Sequence, residues 1–170
     1  AQGHILAYHD RSDGGLLAAV AEMAFAGQVG VALNVDLLVT EGDGIADSRA
    51  DHGDSKNWAA QVSARREDLT LKALFNEELG VVLQVRTAAR DIVMQTLREH
   101  GLSQHSHVIG KTRPVTDVHA GQTGVGEVQI WRDAKAVFSA KLQDLHQVWD
   151  SVSWKICQQR DNPAGADAEH

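Results

Sequence analysis

The stretch "AYHDRSDGGLLAAVAEMAFAG", residues 7–27, decides how the chain is read. A strand-like apolar run enters it and a helical run leaves it. Between them stand two aspartates, a serine and a glycine pair, more polar chemistry than a turn requires. Upstream, "HILAY" (4–8) reads as a short buried strand with an aromatic end. Downstream, Leu16, Leu17, Val20, Met23 and Ala24 recur at helical spacing from Gly14 onward, and Gly27 stands where a C-cap would end the run. "HDRSDGG" is therefore expected to be a strand-to-helix loop.

Such a loop has two readings. Amide groups at a helix start are unpaired, and the macrodipole makes that end attractive to anions. Gly14 and Gly15 would let a phosphate approach the backbone. Asp10 and Asp13 are hard oxygen ligands suited to Mg²⁺, and Ser12 could reach a phosphate or the helix cap. In the plainer reading Ser12 or Asp13 caps the helix, the glycines make the turn and Asp10 is solvated. Neither a Walker A loop nor a GxGxxG fingerprint is present, so the residues alone leave both open.

Outward from the loop, "VGVALNVD" (29–36) alternates like a strand, and residues 41–66 are polar and rich in Gly, Asp and Ser, which predicts a mobile surface insertion. "DLTLKALFNEELG" (68–80) reads as a short helix ending at Gly80, "VVLQVR" (81–86) as a strand, and residues 87–101 as a helix capped by Thr87 and closed by Gly101. "HSHVIGKTR" reads as another strand, residues 127–141 as a hairpin turning around Arg132 to Ala134, and "LQDLHQVWDSVSWKICQQ" as a helix. The tail "RDNPAGADAEH" is turn-rich and reads as a linker. The class is α/β (α+β), a mixed β-sheet covered by helices.

With 170 residues, 43 % apolar and 23 % charged, the chain suits one soluble globular domain plus a tail. A net charge of −7 argues against a nucleic-acid partner. It also means that a phosphate ligand would rely on metal ions or backbone amides. No apolar run reaches the about 18 residues of a membrane span and no signal peptide precedes the first strand, so no membrane partner is expected. The single cysteine, Cys157, fits a reducing compartment, and the expected localisation is cytoplasmic. The start at Ala1, with a strand already under way, reads as a piece of something longer.

Three motifs, taken in order, resemble phosphoribosylformylglycinamidine synthase in its large single-chain form: "YHDRSDGGLLAAVAEMAFAG", "LFNEELGVVLQV" and "RDNPAGADAEH". The resemblance covers Gly3 to about Gly30, Leu71 to Arg86, and Trp149 to the end. The segment 41–66 departs from the family pattern. The resemblance implies the C-terminal domain of the second module like aminoimidazole ribonucleotide synthase (1–148), followed by a connection (149–170) toward a glutaminase domain. It also implies an ATP-dependent ligase and glutamine amidotransferase of purine biosynthesis. That enzyme converts formylglycinamide ribonucleotide, ATP and glutamine to the amidine.

By resemblance, Asp10, Ser12, Asp13, Gly14 and Gly15 are nucleotide-binding, Asp10 holds Mg²⁺ with ATP or ADP, and no catalytic residue lies in this chain. The implied partners are the ATP-binding and glutaminase domains of the same polypeptide. Alone, the chain is expected to be inactive, and uncovered interfaces would favour self-association. Two other functions stand beside this one. The chain could be a non-catalytic interaction module, or a domain of a superfamily member such as selenophosphate synthetase or a thiamine-phosphate kinase-like enzyme.

Other candidates weigh less. Glu77 and Glu78 in "FNEELG" would point about 100° apart on a helix, one toward a partner domain and one toward solvent. His105 and His107 would share a strand face at metal-like spacing, without an evident third ligand. His9 could orient the loop. Cys157 reads as a packed small residue, Trp131, Trp149 and Trp154 as anchors of the hairpin and last helix, and "GQTGVGE" as a flexible loop.

Overall fold

The computed structural model describes residues 3–39, 55–113, 126–160 and 162–169. β1 (Ile5–Arg11) leads into α1 (Gly15–Gly27), then β2 (Gly30–Asn34), a one-turn α2 (Asp36–Val39) and the long α3 (Ser55–Phe75). β3 (Gly80–Val85), α4 (Arg90–Glu99) and β4 (Gly110–Arg113) follow. The hairpin β5 (Glu127–Arg132) and β6 (Lys135–Lys141), then α5 (Leu142–Arg160) and α6 (Pro163–Glu169), complete the order.

The expected mixed sheet is present, with strand order β4-β2-β5-β6. β2 is antiparallel to β4 and parallel to β5, and β5 is antiparallel to β6. β1 and β3 stand apart as a two-stranded antiparallel ribbon. α1 packs against β1, α3 and α5 and so links the ribbon to the rest. Its inward residues Leu16, Val20, Ala24 and Phe25 meet Val31 and Leu33 of β2, Val128 of β5 and Leu142 of α5. Val128 and Ile130, two apart on β5, are both fully buried, as pleat alternation requires. Each such side chain contributes about 1.5–3 kcal/mol through burial.

Several boundaries differ from the sequence reading, each for a local reason. The expected insertion loop 41–66 is helical from Ser55 on, while 41–54 lies outside the described residues. After Gly53 the sequence holds no Gly or Pro up to Asn76 and is rich in Ala, Leu, Lys and Arg, so helix propensity overrides the polar composition. α1 ends with Gln28, not Gly27, in the left-handed conformation (φ 50, ψ 40). Val29 and Gln28 donate their amides to Ala24 and Phe25, and the Gln28 Nε2 donates to the Phe25 carbonyl at 2.8 Å, offsetting the strain. Gly101 (φ 76) closes α4 as expected, but Thr87 does not cap it and starts a 3₁₀ turn instead.

The tail is helical where a turn-rich segment was expected. Asn162 Oδ1 accepts the Ala164 amide at 3.1 Å and Pro163 takes the first helical position, a pairing that starts a helix. α6 then packs on α5, where Trp154 Nε1 and Gln158 Nε2 both donate to Asp167 Oδ1, at 3.1 and 2.6 Å. Most of "GQTGVGE" lies outside the described residues.

The hairpin turns at Asp133 and Ala134, both at positive φ (52 and 60), which is a type I′ turn without its usual glycine. Asp133 ties this turn to two helices. Its amide donates to Asp36 Oδ1 at 2.8 Å, and its carboxylate accepts from Arg66 Nη2 at 2.6 Å and Nε at 3.2 Å. Arg132 Nη1 donates to Thr70 Oγ1 at 2.9 Å, and its Nε lies 3.4 Å from Asp133 Oδ2 in an ion pair outside hydrogen-bond alignment.

Candidate functional site

β1 runs three residues beyond "HILAY", so Asp10 and Arg11 belong to the strand and not to the loop. The extension follows from pairing, because Asp10 faces Val81 and Arg11 faces Gly80 on β3. Alternation places Leu6, Tyr8 and Asp10 on the outer face and Ala7, His9 and Arg11 on the inner one, matching their exposure. The Asp10 carboxylate hydrogen-bonds the Tyr8 hydroxyl two residues away. That bond first, then partial desolvation and the charge of Asp10, raises the Tyr8 pKa above its ordinary 10.0.

Only Ser12, Asp13 and Gly14 remain as the connection. The Ser12 carbonyl accepts the Gly15 amide at 2.9 Å, and Gly14 has φ 80 and ψ 0, the values of the third residue of a type II turn. Gly14 is also the N-cap of α1, and no side chain caps the helix. The plainer expectation, in which Ser12 or Asp13 caps it, is therefore corrected. A left-handed N-cap turns these side chains away from the first turn, and both residues are exposed. Gly15 is buried at φ 70, and a Cβ there would stand 2.7 Å from the Leu74 carbonyl oxygen. Its first role is thus to let the start of α1 approach the end of α3.

A residue distant in sequence serves the loop instead. Glu77 Oε1 accepts the Gly14 amide at 3.0 Å. In the opposite direction, Arg11 Nε donates to the Glu78 carbonyl at 2.8 Å and Nη2 reaches the Leu79 carbonyl at 3.4 Å. Asn76 Oδ1 accepts the Glu78 amide at 2.8 Å, which fixes the segment that presents Glu77. The helical placement of Glu77 and Glu78 is corrected, since α3 ends at Phe75. The sequence singled out this acidic pair but held no signal for its partner, 63 residues away.

His9 faces inward, toward α1. Its Nδ1 donates to the Asp10 carbonyl at 2.7 Å and its Nε2 lies 2.8 Å from Glu22 Oε2 on α1. Glu22 Oε1 accepts Trp149 Nε1–H at 2.9 Å, so the chain His9–Glu22–Trp149 joins β1, α1 and α5. Phe25 stacks edge-on to His146 with centroids 5.0 Å apart and tilts against Trp149 at 5.8 Å, anchoring α5 as expected. His105 and His107 do not share a strand face. His105 closes a 3₁₀ turn, His107 precedes β4, and both are exposed. Cys157 is a free, half-buried thiol.

Among the described residues no group of three or more His, Cys, Asp or Glu converges on one point. A closed cation cage is therefore not built by these residues. Mg²⁺ is commonly held by one or two carboxylates together with phosphate oxygens and water, and a single strand-borne carboxylate such as Asp10 fits that donor set. Apolar side chains flank the loop on one side: Leu79 is fully exposed, and Leu71, Phe75, Val81 and Tyr8 are each more than half exposed.

The sequence profile of the AIR synthase related protein, C-terminal domain, matches residues 1–120. The chain belongs to that family. The matched span holds β1 to β4 and thus both halves of the clasped site, while the hairpin, α5 and α6 of this AIR synthase related domain follow it. Among solved structures, it is similar to a T. maritima PurL described as complexed with ATP, at 12 % identity and a TM-score of 0.52. That match covers 84 % of this chain and 19 % of the PurL chain. A second likeness is to PurLQS from Thermotoga maritima, at 13 % identity and TM-score 0.51, covering 84 % of this chain and 18 % of that one. These likenesses establish a shared fold. The domain spans under a fifth of the solved chains it matches. No helix among the described residues is long and apolar enough to cross a membrane.

Proposed function

We propose that this domain is one part of a phosphoribosylformylglycinamidine synthase, the C-terminal half of its second module, and that it helps to bind a Mg²⁺-nucleotide. In this reading residues 1–148 form the domain and 149–170 lead toward a glutaminase domain, with the junction inside α5. The whole enzyme, an ATP-dependent glutamine amidotransferase, would act in the cytoplasm. This domain would supply binding groups and an interdomain surface, without a catalytic residue.

The observation that carries the reading is that the two resembling motifs, "DRSDGG" and "NEELG", meet in space at the start of α1. The pairing of β1 with β3, which sets Arg11 opposite Gly80, brings the two motifs together, and the two contacts tie them in both directions. Asp10, exposed on the outer face of β1, would give one carboxylate oxygen to the cation. Ser12 and Asp13 would line the phosphates from the turn. Gly14 and Gly15 would keep the backbone low enough for a nucleotide to approach, although their amides are engaged by Glu77 and by the Ser12 carbonyl. The cation, when bound, would neutralise phosphate charge that the acidic surroundings oppose. Leu71, Phe75 and Leu79 would seat the ATP-binding domain of the same polypeptide.

Calorimetric titration of Mg²⁺-ATP into the full-length protein tests this. Asp10→Asn should weaken binding about tenfold, the factor that 1.4 kcal/mol of charge-assisted contact represents. Unchanged affinity in that variant would remove Asp10 from the site and favour the pure interaction module.

A further inference from the structure

The proposed role of Asp10 leaves Arg11 and Glu77 unused, yet these two make the contacts on either side of the turn. We infer that Glu77 and Arg11 are positioning residues that hold the Asp10 strand end and the Ser12–Gly14 turn in place for the nucleotide, a role that rests on the nucleotide reading above. The two bonds are reciprocal. A side chain of the segment 76–80 takes a main-chain amide of the turn, and a side chain of the strand gives to main-chain carbonyls of that segment. They bracket Ser12 and Asp13, one from each side.

The turn needs such a bracket. It holds two consecutive glycines at positive φ, residues that gain the most freedom when released. Strand pairing fixes the chain only as far as Arg11. Beyond it, apart from the turn's own Gly15–Ser12 bond and the packing of Gly15 on α3, Glu77 is what fixes the path.

The clasp is also separable from the fold. Glu77, Glu78, Ser12 and Asp13 are exposed, whereas the core lies between α1, β2, β5 and α5. Exposed hydrogen bonds add little to global stability, so losing one should loosen the turn without unfolding the domain. Glu78 supplies the control. It carries the same charge one residue away, is exposed, and its carboxylate makes no hydrogen bond or ion pair among the described residues.

The experiment titrates Mg²⁺-ATP into the full-length protein and into its Glu77→Ala, Glu77→Gln and Glu78→Ala variants, with urea midpoints measured alongside. Supporting residues around a ligating group typically change affinity by about tenfold or more, and Glu77→Ala should weaken binding by that factor. Glu77→Gln should bind nearly as the wild type, because its amide oxygen still accepts the Gly14 amide. Glu78→Ala should bind as the wild type, and the urea midpoints should stay together. Glu77→Ala binding as tightly as Glu78→Ala would overturn the inference alone. So would Glu77→Gln binding as weakly as Glu77→Ala, since charge and not position would then matter. A wild-type protein that binds no Mg²⁺-ATP would remove the nucleotide reading and this inference together.

Discussion

Replacing Gly15 by alanine separates two demands that the site makes on one residue. The backbone there has φ 70, and a Cβ would sit 2.7 Å from Leu74 O and Phe75 C and 2.8 Å from Phe75 Cα. The left-handed conformation costs an L-residue about 1–2 kcal/mol. Forcing the start of α1 away from the end of α3 adds about 1–3 kcal/mol of overpacking, because the obstructing atoms are backbone and cannot rotate aside. The sum, about 2–5 kcal/mol, is a large part of the about 5–15 kcal/mol that holds a domain folded. Gly101 gives the comparison, with φ 76 and nothing within 4 Å of its would-be Cβ, so Gly101→Ala carries the conformational cost only.

Urea unfolding followed by circular dichroism reads both variants. With a slope of about 2 kcal/mol per molar, Gly15→Ala should lower the midpoint by about 1–2.5 M, and Gly101→Ala by about 0.5–1 M. Equal shifts would refute the reasoning. They would show that α1 and α3 separate freely and that close helix approach does not require this glycine.

Two further outcomes follow from other strained or paired groups. Ala134→Gly should stabilise the domain by about 0.5–1 kcal/mol, the relief of a left-handed alanine less the added freedom of the unfolded chain; its urea midpoint checks this. Tyr8, the single tyrosine, should ionise above its ordinary value because its neutral form donates to Asp10. Its stabilising contribution is therefore full below pH 10 and is lost as pH rises through the raised folded value. An ultraviolet absorbance titration should show the midpoint fall toward 10 in Asp10→Asn, and an unmoved midpoint would deny the bond.

Wherever one strong local signal dominated, the fold was legible. The α1 spacing, the alternation of β2, the hairpin about Asp133 and the glycine closing α4 were each set within a few residues of themselves. The errors arose where local composition and tertiary pairing disagree. The length of β1 depends on β3, which no feature of "HDR" announces. The N-terminal turns of α3 are polar, so hydrophobic periodicity passed over them. The tail helix required reading Asn162-Pro163 as a start and not as a break. At the site, the residues of the turn could be named from sequence. Their clasp by Glu77 and Arg11 could not, because spacing carries no information across more than sixty residues.

The β1–β3 ribbon has a kinetic consequence. Its partners, from Arg11 with Gly80 to Ile5 with Val85, are about seventy or more residues apart, so forming it closes a long loop before any pairing is gained. The hairpin of β5 and β6, by contrast, closes over two residues. Folding should therefore assemble the hairpin and neighbouring helices early and seat the ribbon late. During synthesis, the strand that bears Asp10 leaves the ribosome before β3 does and must wait for its partner, with its strand-pairing backbone groups unpaired. Until β3 emerges, that strand edge is open to pairing with any other extended segment.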